Sequence, residues 1–246
     1  MLIVTIMAAG EGKRMNSSIP KVLHLFKGIP MLIRIILESI KLNPSKIIII
    51  TGKYDEMIKK YIKEYFESEE IFNELIFVQQ NDPKGTGDAI KCILNSLPDD
   101  NCQTLILNGD MPLLSSKLLK KFIADNHPSK LLVSQLDNPY GYGRILYDDY
   151  QKFIGIKEEK DCTIEENKID VINAGIYLFD SNILKKYIPM IDNNNVQNEY
   201  YLTDIVKIIR NDNIDIITYT VPDELKYQIQ GVNTQEELQA LSSTFF

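Results

Sequence analysis

Met1-Leu2-Ile3-Val4-Thr5-Ile6 runs directly into Met7-Ala8-Ala9-Gly10-Glu11-Gly12-Lys13-Arg14-Met15, and Pro20-Lys21-Val22-Leu23 follows shortly after. The first six residues read as a buried strand, and the segment after them reads as a phosphate-binding loop. Two glycines separated by one residue let the backbone turn tightly and bring its N–H groups close to phosphate oxygens. Lys13, Arg14 and Lys21 stand next in line to neutralise what is bound there. Together these features point to nucleotide chemistry at the end of a strand.

The spacing separates this loop from three commoner ones. A P-loop requires Gly-x-x-x-x-Gly-Lys-Ser/Thr, whereas Gly12-Lys13 is followed by Arg14 and has no glycine five residues earlier. A dinucleotide fingerprint requires a small residue three after the second glycine, and Met15 stands there. The acid that would hold a ribose hydroxyl about 20 residues on is also missing, since Met31 to Leu37 carries only Arg34 as a charge. A protein-kinase loop would need a later His-Arg-Asp, and neither His24 nor His127 is followed by Arg-Asp.

A chain of 246 residues with 44% hydrophobic content can bury a sizeable core. Its formal net charge of −7 argues against a general binder of nucleic acid or anionic membranes, although a local basic cluster can still hold a triphosphate. Cys92, Cys102 and Cys162 are far apart and form no Cys-x-x-Cys pair, which suggests neither a disulfide framework nor zinc and fits reduced, cytoplasmic thiols. The apolar start lacks a basic leader, and no apolar run approaches the roughly 18 residues of a membrane span.

Short β-branched runs alternate with amphipathic stretches, the pattern of a mostly parallel sheet flanked by helices. Strands are expected at Lys46 to Thr51, Leu75 to Gln79 and Thr104 to Leu107. Helices are expected at Met31 to Lys41, Asp55 to Glu67, Gly87 to Ser96, Ser115 to Asp125, Tyr201 to Arg210 and Thr234 to Leu241, with Ser115 and Thr234 as N-caps. After Leu131 the pattern turns strand-rich. Ligands in such folds bind beyond the carboxyl ends of strands, so Asp110, after Leu105-Ile106-Leu107, should emerge beside a ligand. A carboxylate there suits Mg²⁺, which takes few protein carboxylates and several phosphate oxygens or waters; taken alone it reads equally as a turn cap. Gln80 and Gly85-Thr86-Gly87 follow the preceding strand in the same way.

In this order the segments resemble the sugar-phosphate nucleotidyltransferases, and most closely the uridylyltransferase domain of the bacterial N-acetylglucosamine-1-phosphate uridyltransferases. The likeness is carried by Ala8 to Met15, Pro20 to His24, Gly28 to Leu32, Gln80 with Gly85-Thr86-Gly87, and Asn108-Gly109-Asp110. It continues through Gly141-Tyr142-Gly143-Arg144-Ile145, Glu158-Glu159-Lys160-Asp161, Asn173-Ala174-Gly175, Asn198 to Asp204 and Gly231-Val232-Asn233. The resemblance implies a Rossmann-like nucleotide-diphospho-sugar transferase (GT-A-like) α/β fold. It implies one domain over residues 1–246, with a nucleotide-binding half to about residue 130 and a sugar-phosphate-binding half from 131.

The resemblance further implies an Mg²⁺-dependent transfer of uridylyl from UTP to N-acetylglucosamine-1-phosphate. Arg14 and Lys21 would be catalytic, and Ala8, Ala9, Gly10, Gly12, Gln80, Gly85 and Thr86 would bind the nucleotide. Asn108, Gly143, Glu158 and Asn173 would bind the sugar phosphate, and Asp110 and Asn233 the metal. No nucleic-acid or membrane partner is implied, and a monomer or small homo-oligomer is expected. No hexapeptide-repeat β-helix is present, so acetyltransferase activity and that route to a trimer are expected to be absent. Glu11, where the family commonly carries lysine, Asp88, where histidine is frequent, and Asn108, where tyrosine is frequent, depart from the pattern. Another sugar-1-phosphate, dTTP in place of UTP, or an inactive sugar-nucleotide-binding regulator stay open as alternatives.

Several of these residues also have plainer readings. Lys21 could be a solvated lysine, Glu158 part of a solvated charge run, Asn233 the cap of the last helix, and Glu199 a residue of a helix's first turn. Asn173, inside the apolar run Val171 to Tyr177, needs hydrogen-bond partners wherever it is buried.

Overall fold

Burial on both faces accounts for the strands at the centre of the protein. Ile47 to Ile50 are nearly or fully buried, as are Ile3, Val4 and Ile6, so these runs show no polar alternation and lie between layers, as in parallel sheets. In the computed structural model, which describes residues 1–66, 69–99, 102–125 and 127–245, the elements run as follows. The chain begins β1 (Leu2–Met7), β2 (Leu25–Phe26), β3 (Ile29–Pro30), α1 (Met31–Ile40), β4 (Lys46–Thr51), α2 (Asp55–Phe66), α3 (Glu69–Glu74), β5 (Leu75–Gln79), α4 (Thr86–Ile93) and β6 (Gln103–Asn108). It continues α5 (Ser116–Phe122), β7 (Ser129–Gln135), β8 (Arg144–Tyr147), β9 (Phe153–Lys157), β10 (Val171–Asp180), α6 (Ser181–Tyr187), α7 (Asp204–Asn211), β11 (Ile217–Thr220) and α8 (Gln235–Thr244). This is the expected α/β fold with a central, mostly parallel sheet.

The chain packs as two compact units, residues 1–83, 106–121 and 227–246 in the first and 84–105 and 122–226 in the second. In the first unit β4 lies between β1 and β5, parallel to both, with Ile6 opposite Ile49 and Ile49 opposite Phe77. The loops that leave β1 and β5, on either side of β4, therefore emerge at the same carboxyl edge. The C-terminal segment is tied in by a core of Phe26, Met31, Val232 and Leu241, with Leu113, Leu238 and Phe245 packed against it. The cap of α8 is Thr234, whose side chain accepts from Glu237 N, while Glu237 in return accepts from Asn233 N at 2.6 Å.

In the second unit β7 pairs antiparallel with β10 and parallel with β11, and β8 and β9 form an antiparallel pair joined to β10 through Arg144 opposite Ile172. A bulge between Asn173 and Tyr177 breaks the β7–β10 register, with Gly175 in the left-handed region at φ 72°.

Several expected boundaries move. The third strand is longer than its apolar run, taking in Gln103 and Asn108, and the Ser115 helix stops at Phe122. The last residue of the expected Asp55 to Glu67 helix lies outside the described residues. The expected Tyr201 helix begins at Asp204, so Glu199 sits in the preceding loop and not in a first turn. α3 and α6 have no counterpart among the expected helices. α6 begins within what reads as strand-rich sequence, where the Asp180 side chain caps it by accepting from Asn182 N at 2.9 Å. Among the described residues no helix is long and apolar enough to cross a membrane.

Candidate active site

In the first unit the glycine loop is held from below before it meets any ligand. Ala8 N donates to Ile50 O at 2.8 Å, and a Cβ on Gly52 would come within 2.6 Å of Ala9 O, so the loop lies directly on the β4 exit. Ala8 and Ala9 are buried, while Gly10 faces open space. Gly12 adopts φ 63°, and a Cβ there would lie 2.5 Å from the Cβ of Lys21. Glycine is thus required at this position both by its backbone conformation and by the approach of Lys21.

That approach brings together four of the expected residues. Lys21 Nζ donates to Asp110 Oδ2 and, at 3.1 Å, to Asn233 Oδ1, and Arg14 Nη2 donates to the same Asn233 oxygen at 2.9 Å. Asn233 is delivered from the far end of the chain because Val232 buries in the Phe26 core and its N–H donates to Asp110 O at 3.0 Å. Gln235 Nε2 fastens the same turn to Met15 O at 2.7 Å. The readings of Lys21 as solvated and of Asn233 as a helix cap are therefore overturned: Lys21 is 14% exposed and paired, and Thr234 is the cap. A cleft of about 390 Å³ opens here, lined by Gly10, Glu11, Gly12, Lys13, Arg14, Lys21, Pro83 and Asn233. Glu11 does not leave the loop negative, since it pairs with Lys53 at 3.0 Å and Lys13 at 3.2 Å. Hydrogen bonds from Lys53 and Lys13 hold its carboxyl below the usual range. Gln80 is buried in the same unit, with its N–H on Thr51 O at 2.8 Å, and Asn108 closes β6 ahead of Asp110.

The remaining expected residues lie in the second unit. Gly143 O accepts from Asn173 N at 2.9 Å, and a Cβ on Gly143 would be 3.6 Å from Glu158 Oε1. Glu158 accepts from Thr203 Oγ1 at 2.8 Å. Burial pushes its carboxyl above the ordinary range, as do Asp204, Asp161 and Glu199, against the Thr203 hydrogen bond. Burial raises Asp204 as well, with Asp192 and Asp161 adding to it. Glu158 therefore belongs to a partly enclosed carboxylate cluster and not to a solvated charge run. Asn173 satisfies both ends of its amide inside the bulge, donating to Tyr177 Oη at 2.6 Å and accepting from Gly175 N at 3.1 Å. Thr86 Oγ1 accepts from Leu202 N at 3.0 Å and Gly87 N donates to Tyr200 O at 2.7 Å, so the second glycine loop anchors the 198–204 segment.

Thr203, Asp161 and Tyr201 stand beside Glu158, and the sequence does not single them out one by one. Their segments, Glu158 to Asp161 and Asn198 to Asp204, carry a signal only as wholes, because nothing in the spacing marks which side chain turns inward. The Tyr201 hydroxyl is buried, and its burial, with the Asp161 and Glu158 carboxylates nearby, raises its pKa.

Comparison with known proteins agrees with this architecture. A family model described as "Nucleotidyl transferase" matches residues 3–220. A protein of Acanthamoeba polyphaga mimivirus named "Probable UDP-N-acetylglucosamine pyrophosphorylase" is 43% identical over 249 residues, covering 98% of this chain and 95% of its own. The "Bifunctional protein GlmU" of a Nitratiruptor species is 40% identical over 238 residues, covering 96% of this chain. The match takes in 52% of that relative, so the chain spans about half its length. The crystal structure of a UDP-glucose pyrophosphorylase complexed with UDP-glucose superposes with a TM-score of 0.76 at 16% identity, over 98% of this chain and 97% of the other, a likeness of fold.

Proposed function

This chain belongs to the nucleotidyl transferase family, and on that premise we propose that it transfers uridylyl from UTP to N-acetylglucosamine-1-phosphate, releasing pyrophosphate and UDP-N-acetylglucosamine. The observation that carries the reading is the convergence of Arg14, Lys21, Asp110 and Asn233 at the mouth of the glycine loop. Two cations and two oxygen donors at one point suit a triphosphate that arrives with a divalent ion. The choice of uracil and of the amino sugar is supported by the relatives' names and by the ordered motifs, including Gln80 and Asn173.

The acceptor brings its own nucleophile. An oxygen of the sugar-1-phosphate is already anionic, so it can attack the α-phosphorus of UTP without a protein base. The new O–Pα bond forms as the Pα–O bond to pyrophosphate breaks, in line. Catalysis is then a matter of position and charge neutralisation. In this reading Gly10 and Gly12 present N–H groups to the phosphates, and Lys21 and Arg14 meet the charge that gathers on the α-phosphoryl oxygens. Glu158, Thr203 and Asn173 receive the sugar's hydroxyl and amide groups.

Asp110 and Asn233 would hold Mg²⁺. Their fit is visible in the donor set: a carboxylate and an amide oxygen, both hard ligands, already aimed at one cationic centre, the Lys21 ammonium. When bound, the ion would neutralise phosphate oxygens of the nucleotide and of the leaving pyrophosphate. The three free cysteines suit a reducing compartment, and the reading places the reaction in the cytoplasm with small-molecule partners.

The test is pyrophosphate release, with Mg²⁺ present, across UTP, dTTP, CTP, ATP and GTP against N-acetylglucosamine-1-phosphate, glucosamine-1-phosphate and glucose-1-phosphate. Turnover confined to UTP with N-acetylglucosamine-1-phosphate is expected. Turnover with a different pair would move the substrate assignment, and none with any pair would favour a binding protein.

A further inference from the structure

Resting on the reading of Gly143, Glu158 and Asn173 as the acceptor pocket, we infer that Arg144 and Glu159 are its positioning pair, an ion pair that clamps the Gly141–Gly143 turn to the Glu158 turn. Arg144 is only 2% exposed. One end of its guanidinium, Nη1, donates to Tyr142 O, and Nη2 donates to Glu159 Oε1 at 3.3 Å. The other oxygen of Glu159 accepts from Gly141 N at 2.9 Å. Guanidinium, carboxylate and the two backbone groups thus close a ring around the Gly141-Tyr142 step. Gly141 sits at φ 86°, and without a Cβ it contributes no side chain to the turn, which Asn138 holds on the other side by accepting from Tyr140 N at 3.2 Å. The ring supplies what the glycine lacks.

Each partner stands one residue past an acceptor residue, Arg144 after Gly143 and Glu159 after Glu158. Arg144 is opposite Lys157 in the β8–β9 pair and opposite Ile172 in β10, immediately before Asn173. Gly143 O also accepts from Asn173 N. Any displacement of the Arg144 fork therefore moves the acceptor residues relative to one another, and displacements of about 1 Å suffice to spoil a reacting geometry. Arginine is needed for this. Lysine offers a point charge without the planar fork, and a buried guanidinium deprived of its carboxylate is costly.

The decisive variant is Glu159→Gln in the full chain, because Glu159 is 24% exposed and its replacement spares the core. In either orientation the substituted amide accepts through its single oxygen from only one of Gly141 N and Arg144 Nη2, and its nitrogen can accept from neither, so the ring is opened. Hydrogen exchange is expected to quicken in residues 139–145 and to stay unchanged in residues 5–20. The KM for the sugar phosphate is expected to rise about three- to ten-fold, the loss of one hydrogen bond, with the UTP KM within about two-fold of wild type. Arg144→Lys should act in the same direction and more strongly, and the double variant should be no worse than Arg144→Lys alone. Unchanged exchange at 139–145 would overturn the clamp. Unchanged acceptor KM, or equal rises in both KM values, would overturn its role in positioning. A wild-type protein that turns over no sugar phosphate would instead overturn the acceptor reading, with the exchange experiment still deciding the clamp.

Discussion

The cleft around Lys21 and the cluster around Glu158 are built from the same materials, a glycine turn and polar side chains at strand ends, yet their electrostatics are opposite. In the first, cations meet oxygen donors in satisfied pairs: Lys21 with Asp110, Arg14 with Asn233, and Glu11 with Lys13 and Lys53. In the second, Glu158 collects Asp161, Glu199 and Asp204 around it, and burial lifts Glu158 and Asp204 above their ordinary values. The contrast matches the proposed ligands. A triphosphate is held by positive charge, whereas a sugar is held by acceptors for its hydroxyls, which tolerate proximity to carboxylates. The first region is settled before substrate arrives. The second carries an unrelieved electrostatic cost that a bound sugar's donors would reduce.

The largest break in this contrast should come from the cation cleft. Lys21→Met is expected to lower kcat by about 10²- to 10³-fold, the usual loss when a group that meets transition-state charge is removed, measured as pyrophosphate release at saturating substrates. Asp110→Asn should also abolish most turnover by weakening metal binding, with the remainder requiring more Mg²⁺; unchanged activity and unchanged Mg²⁺ dependence would remove Asp110 from the metal site.

Gly12→Ala comes next. A left-handed backbone for a residue with a Cβ costs about 1–2 kcal/mol, and the 2.5 Å approach to the Lys21 Cβ adds to it. The UTP KM should rise roughly ten-fold while the sugar-phosphate KM holds, which steady-state kinetics in both substrates would show.

Glu158→Ala should reverse that pattern, raising the sugar-phosphate KM by about ten-fold, the low end for one hydrogen bond to a charged group, and leaving the UTP KM alone. A larger effect on UTP would move Glu158 out of the acceptor pocket.

The smallest effect sharpens the electrostatic half of the comparison. Because the folded pKa of Glu158 is raised, its carboxyl favours the folded state most when protonated, and that contribution is lost as pH rises from the unfolded value near 4.5 through the folded one. Glu158→Gln should therefore melt higher than wild type at pH 7 to 8, as a thermal melt across pH would show. The gain should vanish as pH falls below 4.5, and a difference independent of pH would assign it to packing.

Much of this protein is legible along the chain. β-branched runs without polar alternation identify β1, β4 and β5 because burial on both faces leaves no other composition available. The Gly-x-Gly spacing and the basic residues after it mark the glycine loop, and Thr234 announces the cap of α8. Those signals are local, set by backbone conformation and by hydrophobic periodicity. α6 is not legible in this way, because it follows the ten-residue β10 directly, with no loop to separate its pattern from the strand's.

Tertiary structure alone decided which polar residues share a site. Lys21 and Asn233 are 212 positions apart and meet because Val232 and Leu241 bury against Phe26 and Met31, far from any local pattern. Glu158 lies in a charge run that looks solvated, yet it is partly enclosed and accepts from the Thr203 hydroxyl, 45 positions along the chain. Asn173 reads along the chain as an amide in need of partners, and it is the bulge at Gly175 that occupies both of its ends. The sequence determined which segments become strand, helix and glycine loop, since those follow from neighbours in the chain. Charge, exposure and partnership depend on neighbours in space, and the burial of distant apolar residues chose those.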